Sequence, residues 1–180
     1  MLPKRQIKII TSLNQKKCRK REGFFVAEGK KVIKELLHSN FELEMIYSTD
    51  ALLFSKEEKL TTISEAELKK ISFLKTPNVA LAVFKIEKKK KKKASELIVA
   101  LDDVRDPGNL GTIIRLCDWF GVTTLVCSKT TVDCYNPKVV QATMGSLARV
   151  EVQYTDLEAY LDETNLPVYG AFMDGETVYT

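Results

Sequence analysis

Hydrophobic and polar positions divide the chain into two stretches in which strands and helices alternate. In the first stretch, apolar runs predict three strands, at residues 23–28, 43–47 and 79–86. Residues 30–38 predict a helix, because their apolar side chains recur on one face. Ser64 followed three residues later by Glu67 is a capping-box pattern that opens a second helix. This order predicts a small α/β module behind a basic helical arm.

The second stretch alternates more regularly. Residues 97–101 (LIVAL) form a continuous apolar run, which is typical of a parallel strand buried on both faces. Further strands are predicted at 122–127, 150–153 and 168–172, with helices at 109–120, 137–148 and 156–163. Pro137 suits the first turn of a helix, and Gly121 stands where a helix would end. The βαβαβαβ order predicts a parallel sheet with helices on both faces.

Charge is strongly segregated along a chain whose net charge is only +4. Residues 1–34 carry eleven basic side chains against two acidic ones, whereas residues 94–180 carry five against thirteen. A concentrated basic head suggests a polyanionic partner such as RNA, and a solvated tail is the alternative. The six consecutive lysines at 88–93 should repel one another, so we predict a linker at 88–95 between domains at 1–87 and 96–180.

Composition excludes several classes of protein. No apolar run is long enough for a membrane helix or for a secretion signal. The four cysteines form no CxxC pair and His38 is the only histidine, so we predict no metal site, buried thiols and a reducing cytoplasm. The chain has neither a GxGxxG fingerprint nor a P-loop. A nicotinamide-dependent oxidoreductase is therefore disfavoured despite the alternating sheet.

One predicted helix carries unusual polar chemistry. The loop at 102–109 follows a parallel strand, where open α/β sheets tend to bind ligands, and Asn109 is expected to cap the helix behind it. On that helix Arg115 and Trp119 lie away from the apolar face. This suggests an interface or a ligand surface. Alternatively, Arg115 pairs with Asp118 and Trp119 fills a local gap.

The stretch LDDVRDPGNLGTIIRLCDWFGV resembles motif 1 of the SpoU (TrmH-like) RNA 2′-O-ribose methyltransferases of the SPOUT superfamily. Asn109, Gly111, Arg115 and the pair Phe120-Gly121 match that motif. DCYNPKVVQATMGSLARVEV is similar to the family's next stretch, and FFVAEGKKVIKELL and LKTPNVALAVF are similar to its substrate-binding domain. The resemblance implies an RNA-binding α/β module followed by a parallel-sheet methyltransferase domain of the trefoil-knot type.

The family's later motifs, a G-N-E-G turn and an S-L-N-V segment, do not occur in these 180 residues. We therefore expect the methyltransferase domain to be incomplete and to stop before the knot. The resemblance implies that S-adenosylmethionine binds mainly through residues beyond Thr180 and that the full-length protein is a homodimer. The implied reaction transfers a methyl group to a ribose 2′-hydroxyl of rRNA or tRNA.

The resemblance also implies roles for individual residues. Arg115 is placed at the reacting hydroxyl, and because arginine is essentially always protonated, we expect it to hold a phosphate or the developing alkoxide as a positive donor. Asn109 is expected to order the loop and this arginine. The candidate RNA contacts are Lys16, Lys17, Arg19, Lys20, Arg21 and Glu28. For Glu28 the alternative is a structural role, in which Glu28 caps the following helix and Gly29 serves a tight turn.

A second function remains open at the level of sequence. The same basic arm and module are compatible with a non-catalytic RNA-binding protein or assembly factor, or with a fragment that has lost cofactor binding. Motif 1 with its Arg115 favours the enzyme, whereas the missing later motifs favour the binding protein.

Overall fold

The computed structural model describes residues 1–86, 97–171 and 175. Within these ranges the helices are α1 (Lys4–Ser12), α2 (Lys16–Glu22), α3 (Lys30–Leu37), α4 (Glu65–Ile71), α5 (Pro107–Trp119), α6 (Pro137–Thr143) and α7 (Leu157–Glu163). The strands are β1 (Phe24–Glu28), β2 (Leu43–Ser48), β3 (Leu60–Thr62), β4 (Ala80–Lys85), β5 (Ile98–Leu101), β6 (Thr124–Ser128) and β7 (Glu151–Thr155). Short 3-10 helices lie at Ala51–Phe54 and Ser146–Ala148.

The N-terminal sheet has four strands in the order β1-β4-β2-β3. Strands β1 and β2 pair antiparallel with β4, and β3 pairs parallel with β2. Three strands and both helices were predicted close to their observed bounds, and the capping box of Ser64 and Glu67 is present. Strand β3 was missed because it has only three residues and is held by pairing with β2.

The second sheet is parallel, in the order β5-β6-β7. The prediction that the first of these strands is buried on both faces is wrong: three of its residues are half-buried and Ala100 is exposed. The reason is that β5 pairs only with β6 among the described residues. Residues 168–171 are not extended strand, and Phe172 of the strand predicted at 168–172 lies outside the described residues.

Two helix boundaries differ from the prediction. Helix α5 begins at Pro107, and its N-cap is Asp106, whose carboxylate accepts a 2.8 Å hydrogen bond from the Asn109 amide. The helix predicted at 137–148 ends at Thr143, because Met144 takes a left-handed conformation with φ of 52°. Gly121 follows α5 with φ of 72°, as its predicted place at the helix end requires.

A continuous hydrophobic core joins the two sheets. Phe25 of β1 contacts the ring of Tyr135, which lies just before α6, with 4.8 Å between centroids. Buried residues of β1 and α3 belong to the same cluster as those of α5 and α6. The linker predicted at 88–95 lies outside the described residues, so the division of the chain there stays a prediction.

Two further expectations concern thiols and membranes. Cys117, Cys127 and Cys134 are buried, whereas Cys18 is half-exposed because it lies on the arm helix α2. No helix in the described part of the chain has the length and apolar character to cross a bilayer.

Candidate active site

Helix α5 has one buried face and one open face. Leu110, Ile114 and Cys117 are buried against the sheet, as the helical spacing predicted. On the open face Trp119 is 84% exposed. Beside it lies a groove of about 480 Å³ lined by Thr112, Arg115, Leu116, Asp118, Trp119 and Ser146. Arg115 therefore lies in a solvent-facing groove with an aromatic side chain.

Asp118 is held by Arg149. The guanidinium of Arg149 donates to both carboxylate oxygens of Asp118 at 2.8–3.0 Å and also to Glu35 of α3 at 2.8 Å. The hydrogen bonds from Arg149 hold the pKa of Asp118 below its usual range. The alternative in which Arg115 pairs with Asp118 is therefore wrong, and the exposed Trp119 does not fill a gap.

Because Asp118 pairs with Arg149, the guanidinium of Arg115 is available to a ligand. Within residues 1–86 and 97–171, its guanidinium makes no ion pair and no hydrogen bond. Arg149 itself was not singled out from sequence, because it lies 31 positions from Asp118 and 114 positions from Glu35. Nothing in the local pattern around Arg149 signals either contact.

Asn109 does not have the role expected of it. Asp106 caps α5 instead, because Pro107 opens the helix two residues before Asn109. Asn109 and Arg115 are six residues apart on one helix, a spacing that separates side chains by roughly 9 Å along the axis and places them on different sides. Asn109 is exposed, and no hydrogen bond joins it to Arg115 in the described structure. It therefore does not order this arginine.

Close packing fixes the position of α5. A Cβ atom added at Gly111 would lie 2.4 Å from the Cβ of Ala142 on α6 and 3.0 Å from its backbone carbonyl carbon. Only glycine permits this approach of the two helices. The match of Gly111 to motif 1 thus has a packing reason in this structure.

The loop before α5 is ordered by its own polar groups. Asp103 pairs with Arg105 at 2.8 Å, and its amide donates to the Ser128 hydroxyl at 2.9 Å. Asp106 is engaged as the helix cap. The side chains of Asp103, Arg105 and Asp106 are thus engaged within the loop and at the helix cap, and we assign no described residue to S-adenosylmethionine.

Arg19 is not a surface contact, which corrects its place among the candidate RNA contacts. Its side chain is 2% exposed and donates twice to Asp133, with the shortest contact at 2.6 Å. It also donates to the carbonyls of Leu13 and Asn14 at 2.8 Å. Arg19 therefore fastens the arm to the loop before α6, and these partners leave it no reach to a phosphate.

Glu28 is also internal, so it is no longer a candidate contact for RNA. Its carboxylate accepts from the Ser72 hydroxyl at 2.5 Å and from the Phe73 amide at 2.8 Å. Burial raises the pKa of this carboxyl. The alternative in which Glu28 caps a helix is also wrong, because the cap position of α3 is Gly29 and no side chain bonds there. The Glu28 carboxylate instead holds the segment after α4.

The other four candidates lie on the exposed side of α2: Lys16, Lys17, Lys20 and Arg21. Arg21 pairs with the adjacent Glu22 at 2.7 Å, an exposed contact that contributes little stability. The ammonium of Lys16 lies 5.7 Å from the centroid of the Tyr154 ring on β7. The arm thus presents basic groups next to the second sheet.

Comparisons with known proteins agree with this architecture. The model of the SpoU rRNA Methylase family matches residues 96–180, and that of the MRM3-like substrate binding domain matches residues 4–82. A TrmH-family structure from Porphyromonas gingivalis superposes with a TM-score of 0.87 at 36% identity, over 98% of this chain and 73% of that one. This chain belongs to the TrmH (SpoU) family. The resemblance of its motif 1 and N-terminal module is confirmed.

Other TrmH-family relatives have named activities. RlmP from Bacillus subtilis, a 23S rRNA (guanosine(2553)-2′-O)-methyltransferase, is 28% identical over 97% of this chain and 73% of its own. Mitochondrial rRNA methyltransferase 3 from Xenopus tropicalis is 28% identical over 83% of this chain, which spans only 40% of that protein. An AdoMet-bound rRNA methyltransferase from Sinorhizobium meliloti has a TM-score of 0.76 at 27% identity, over 90% of this chain and 66% of that one.

Proposed function

We propose that this TrmH-family chain serves in the transfer of a methyl group from S-adenosylmethionine to a ribose 2′-hydroxyl of rRNA. Residues 1–87 are its RNA-binding domain and residues 96–180 belong to its methyltransferase domain, joined by the lysine-rich segment 88–95. The observation that carries the proposal is the free, solvent-facing guanidinium of Arg115 on the motif 1 helix. The relatives named as 2′-O- and rRNA methyltransferases support the reaction and the substrate class.

Arg115 acts as a fixed positive donor in this proposal. When bound, S-adenosylmethionine supplies the electrophilic methyl group. The ribose hydroxyl gains negative charge as it loses its proton, and a guanidinium placed beside it stabilises that charge. The fork of N–H groups can bind the alkoxide and an adjacent phosphate oxygen together, which a lysine ammonium does less well. Gly111 and Arg149 hold the helix that carries this donor.

The chemical position of the methyl group tests the proposal. The native protein is incubated with ribosomal RNA and S-adenosylmethionine labelled in its methyl group, and the RNA is then hydrolysed with alkali. A 2′-O-methyl group blocks attack on the neighbouring phosphodiester, so the label is expected in alkali-resistant dinucleotides. Label recovered in single nucleotides would mean base methylation and would refute the proposal. A protein that binds RNA but transfers no label would favour the non-catalytic alternative.

We further propose that the open face of α5 is a homodimer contact. Leu116, Trp119 and Phe120 are 50%, 84% and 73% exposed, and large exposed apolar patches mark interaction surfaces. Trp119 is the only tryptophan in the chain, so its emission reports on this face alone. Emission is expected to shift to shorter wavelength as protein concentration rises and dimers form. A dimer in sedimentation with unchanged Trp119 emission would place the contact elsewhere.

A further inference from the structure

A second cavity lies beside strand β7, at the edge of the parallel sheet opposite β5. It encloses about 650 Å³ between the arm helix α2 and strand β7. Its basic lining residues are Lys16, Arg19, Lys20 and Lys129. It shares no residue with the groove beside Arg115. It is therefore a separate site, with a volume in the range of cavities that hold small molecules.

The cavity is positively charged. Four basic side chains line it, and Asp133 is its one acidic lining residue within the described chain. That carboxylate is already paired with the buried Arg19 at 2.6 Å. Lys129 contacts Asp156 at 3.4 Å, but both side chains are well exposed, so this contact is weak. The ammonium group of Lys16 lies 5.7 Å from the centroid of the Tyr154 ring, at the edge of the cavity. Lys16 and Lys20 make no ion pair with the described residues, so both can meet an anion.

The floor of the cavity is apolar and rigid. Val152 and Tyr154 line it from β7, two residues apart and therefore on one face of the strand. The Tyr154 hydroxyl donates to the Val132 carbonyl at 2.6 Å and accepts from the Cys134 amide at 2.7 Å, which fixes the ring. Burial raises the pKa of Tyr154, so its hydroxyl stays neutral. The result is a flat aromatic and aliphatic surface beneath a rim of ammonium groups.

We propose that this cavity binds one unstacked nucleotide of single-stranded RNA. Its base would lie against Val152 and Tyr154, and its phosphates would meet Lys16 and Lys20. A planar apolar surface with a cationic rim is the combination that holds single-stranded nucleic acid. The proposal rests on the proposed function in one respect, namely that RNA is the polyanionic partner of the arm.

The test separates recognition of the base from attraction to phosphate. Binding of the full chain is measured by fluorescence anisotropy with two labelled single-stranded RNA oligonucleotides of equal length and charge, one of which lacks its bases. The wild-type chain is expected to bind the intact oligonucleotide about fivefold or more tightly than the abasic one. Val152→Asn replaces the apolar contact beside Tyr154 with an amide, without changing charge or side-chain volume much. It should weaken this preference and leave the affinity for the abasic oligonucleotide unchanged.

Charge variants on α2 provide the matched comparison. Lys20→Glu changes a side chain at the rim, and Lys17→Glu makes the same change on the same helix outside the cavity. Both should weaken binding of the abasic oligonucleotide through lost phosphate attraction, but Lys20→Glu alone should also erase the preference for bases. Circular dichroism verifies that each variant is folded.

The outcomes distinguish the two proposals. RNA binding with no preference for the intact oligonucleotide, or a preference that stays undiminished in both Val152→Asn and Lys20→Glu, overturns the nucleotide cavity and leaves RNA as the partner. Failure to bind either oligonucleotide, while ribosomal RNA is bound in the same assay, overturns the cavity proposal alone. Failure to bind ribosomal RNA as well refutes RNA binding itself. Equal loss of the preference in Lys17→Glu and Lys20→Glu would place the base on the arm outside this cavity.

Discussion

Arg19 and Arg21 lie two residues apart on α2, yet their surroundings are opposite. Arg19 is enclosed and bonded to Asp133, Leu13 and Asn14, whereas the side chain of Arg21 is 64% exposed beside Glu22. Sequence alone treats both as phosphate contacts, because the partner of Arg19 is 114 positions away. A contact between distant segments leaves no mark in the local pattern of charges.

Removing each arginine tests this difference. Arg19→Ala leaves Asp133 without its cation and two carbonyls without a donor, so we expect the free energy of unfolding to fall by about 3 kcal/mol or more. Arg21→Ala removes only an exposed contact and should change it by less than about 0.5 kcal/mol. Denaturant unfolding of the two variants measures both values. Similar small losses in both would show that Arg19 is not an internal anchor.

Glu67 gives a residue-scale prediction for pH. Its carboxylate accepts from the backbone amides of Ser64 and Leu2, and these hydrogen bonds lower its pKa from 4.5 to about 2. Because the folded-state pKa is the lower one, the stabilisation is fully present above pH 4.5 and is lost as pH falls toward 2. The unfolding free energies of wild type and Glu67→Gln should therefore differ above pH 4.5 and converge near pH 2.

Glu65, on the same turn of α4, provides the control. Its side chain makes no hydrogen bond with the residues that the structure describes. Glu65→Gln should therefore change the unfolding free energy little at either pH. A difference between wild type and Glu67→Gln that stays constant down to pH 2 would contradict the role assigned to the Glu67 carboxylate. The sequence predicted this capping box because all of its parts lie within four residues.

At the scale of elements, α5 shows what periodicity can and cannot predict. Its buried face follows from the spacing of Leu110, Ile114 and Cys117, and its end follows from Gly121. Its start was placed two residues late, because Asp106 competes with Asn109 for the cap. The exposure of β5 was not predictable either. An apolar run indicates a strand, but it does not indicate how many strands and helices cover that strand in the fold.

The contact between α5 and α6 supports a quantitative prediction. Gly111→Ala would gain about 1 kcal/mol from helix propensity alone. The added methyl group would lie 2.4 Å from the Ala142 Cβ and 3.0 Å from its backbone, so overpacking of about 1–3 kcal/mol should exceed that gain. We expect net destabilisation in thermal and denaturant unfolding. Gly111→Ala combined with Ala142→Gly should recover most of the loss, and a more stable single variant would contradict this packing.

At the scale of the whole molecule, the two sheets share one core and, within the part of the chain that the structure describes, are joined by ionic contacts of two arginines. Arg19 joins the arm to Asp133, and Arg149 joins Glu35 of α3 to Asp118 of α5. The sequence predicted two α/β modules and their order. It could not predict how they pack, because the contacts that join them in the described residues, such as Arg19 with Asp133 and Arg149 with Glu35, link positions 114 apart.

The packing has a consequence for the proposed reaction. Arg149 pairs with Asp118, so the positive charge of Arg115 is available to a ligand. The helix carrying Arg115 is held against the module that resembles a substrate-binding domain. We therefore propose Arg115 as the donor for the methylated ribose. The sequence pointed to this arginine through motif 1, but its freedom from Asp118 became visible only in the structure.

The most direct test is the turnover number of Arg115→Lys in the native protein, measured by methyl transfer from S-adenosylmethionine to ribosomal RNA. Arg105→Lys is the control, because Arg105 pairs locally with Asp103 in the loop before α5. We predict that Arg115→Lys lowers kcat by about 100-fold or more while RNA affinity and stability stay near wild type, and that Arg105→Lys changes kcat little. Full activity in Arg115→Lys would contradict the role of this guanidinium as the positive donor.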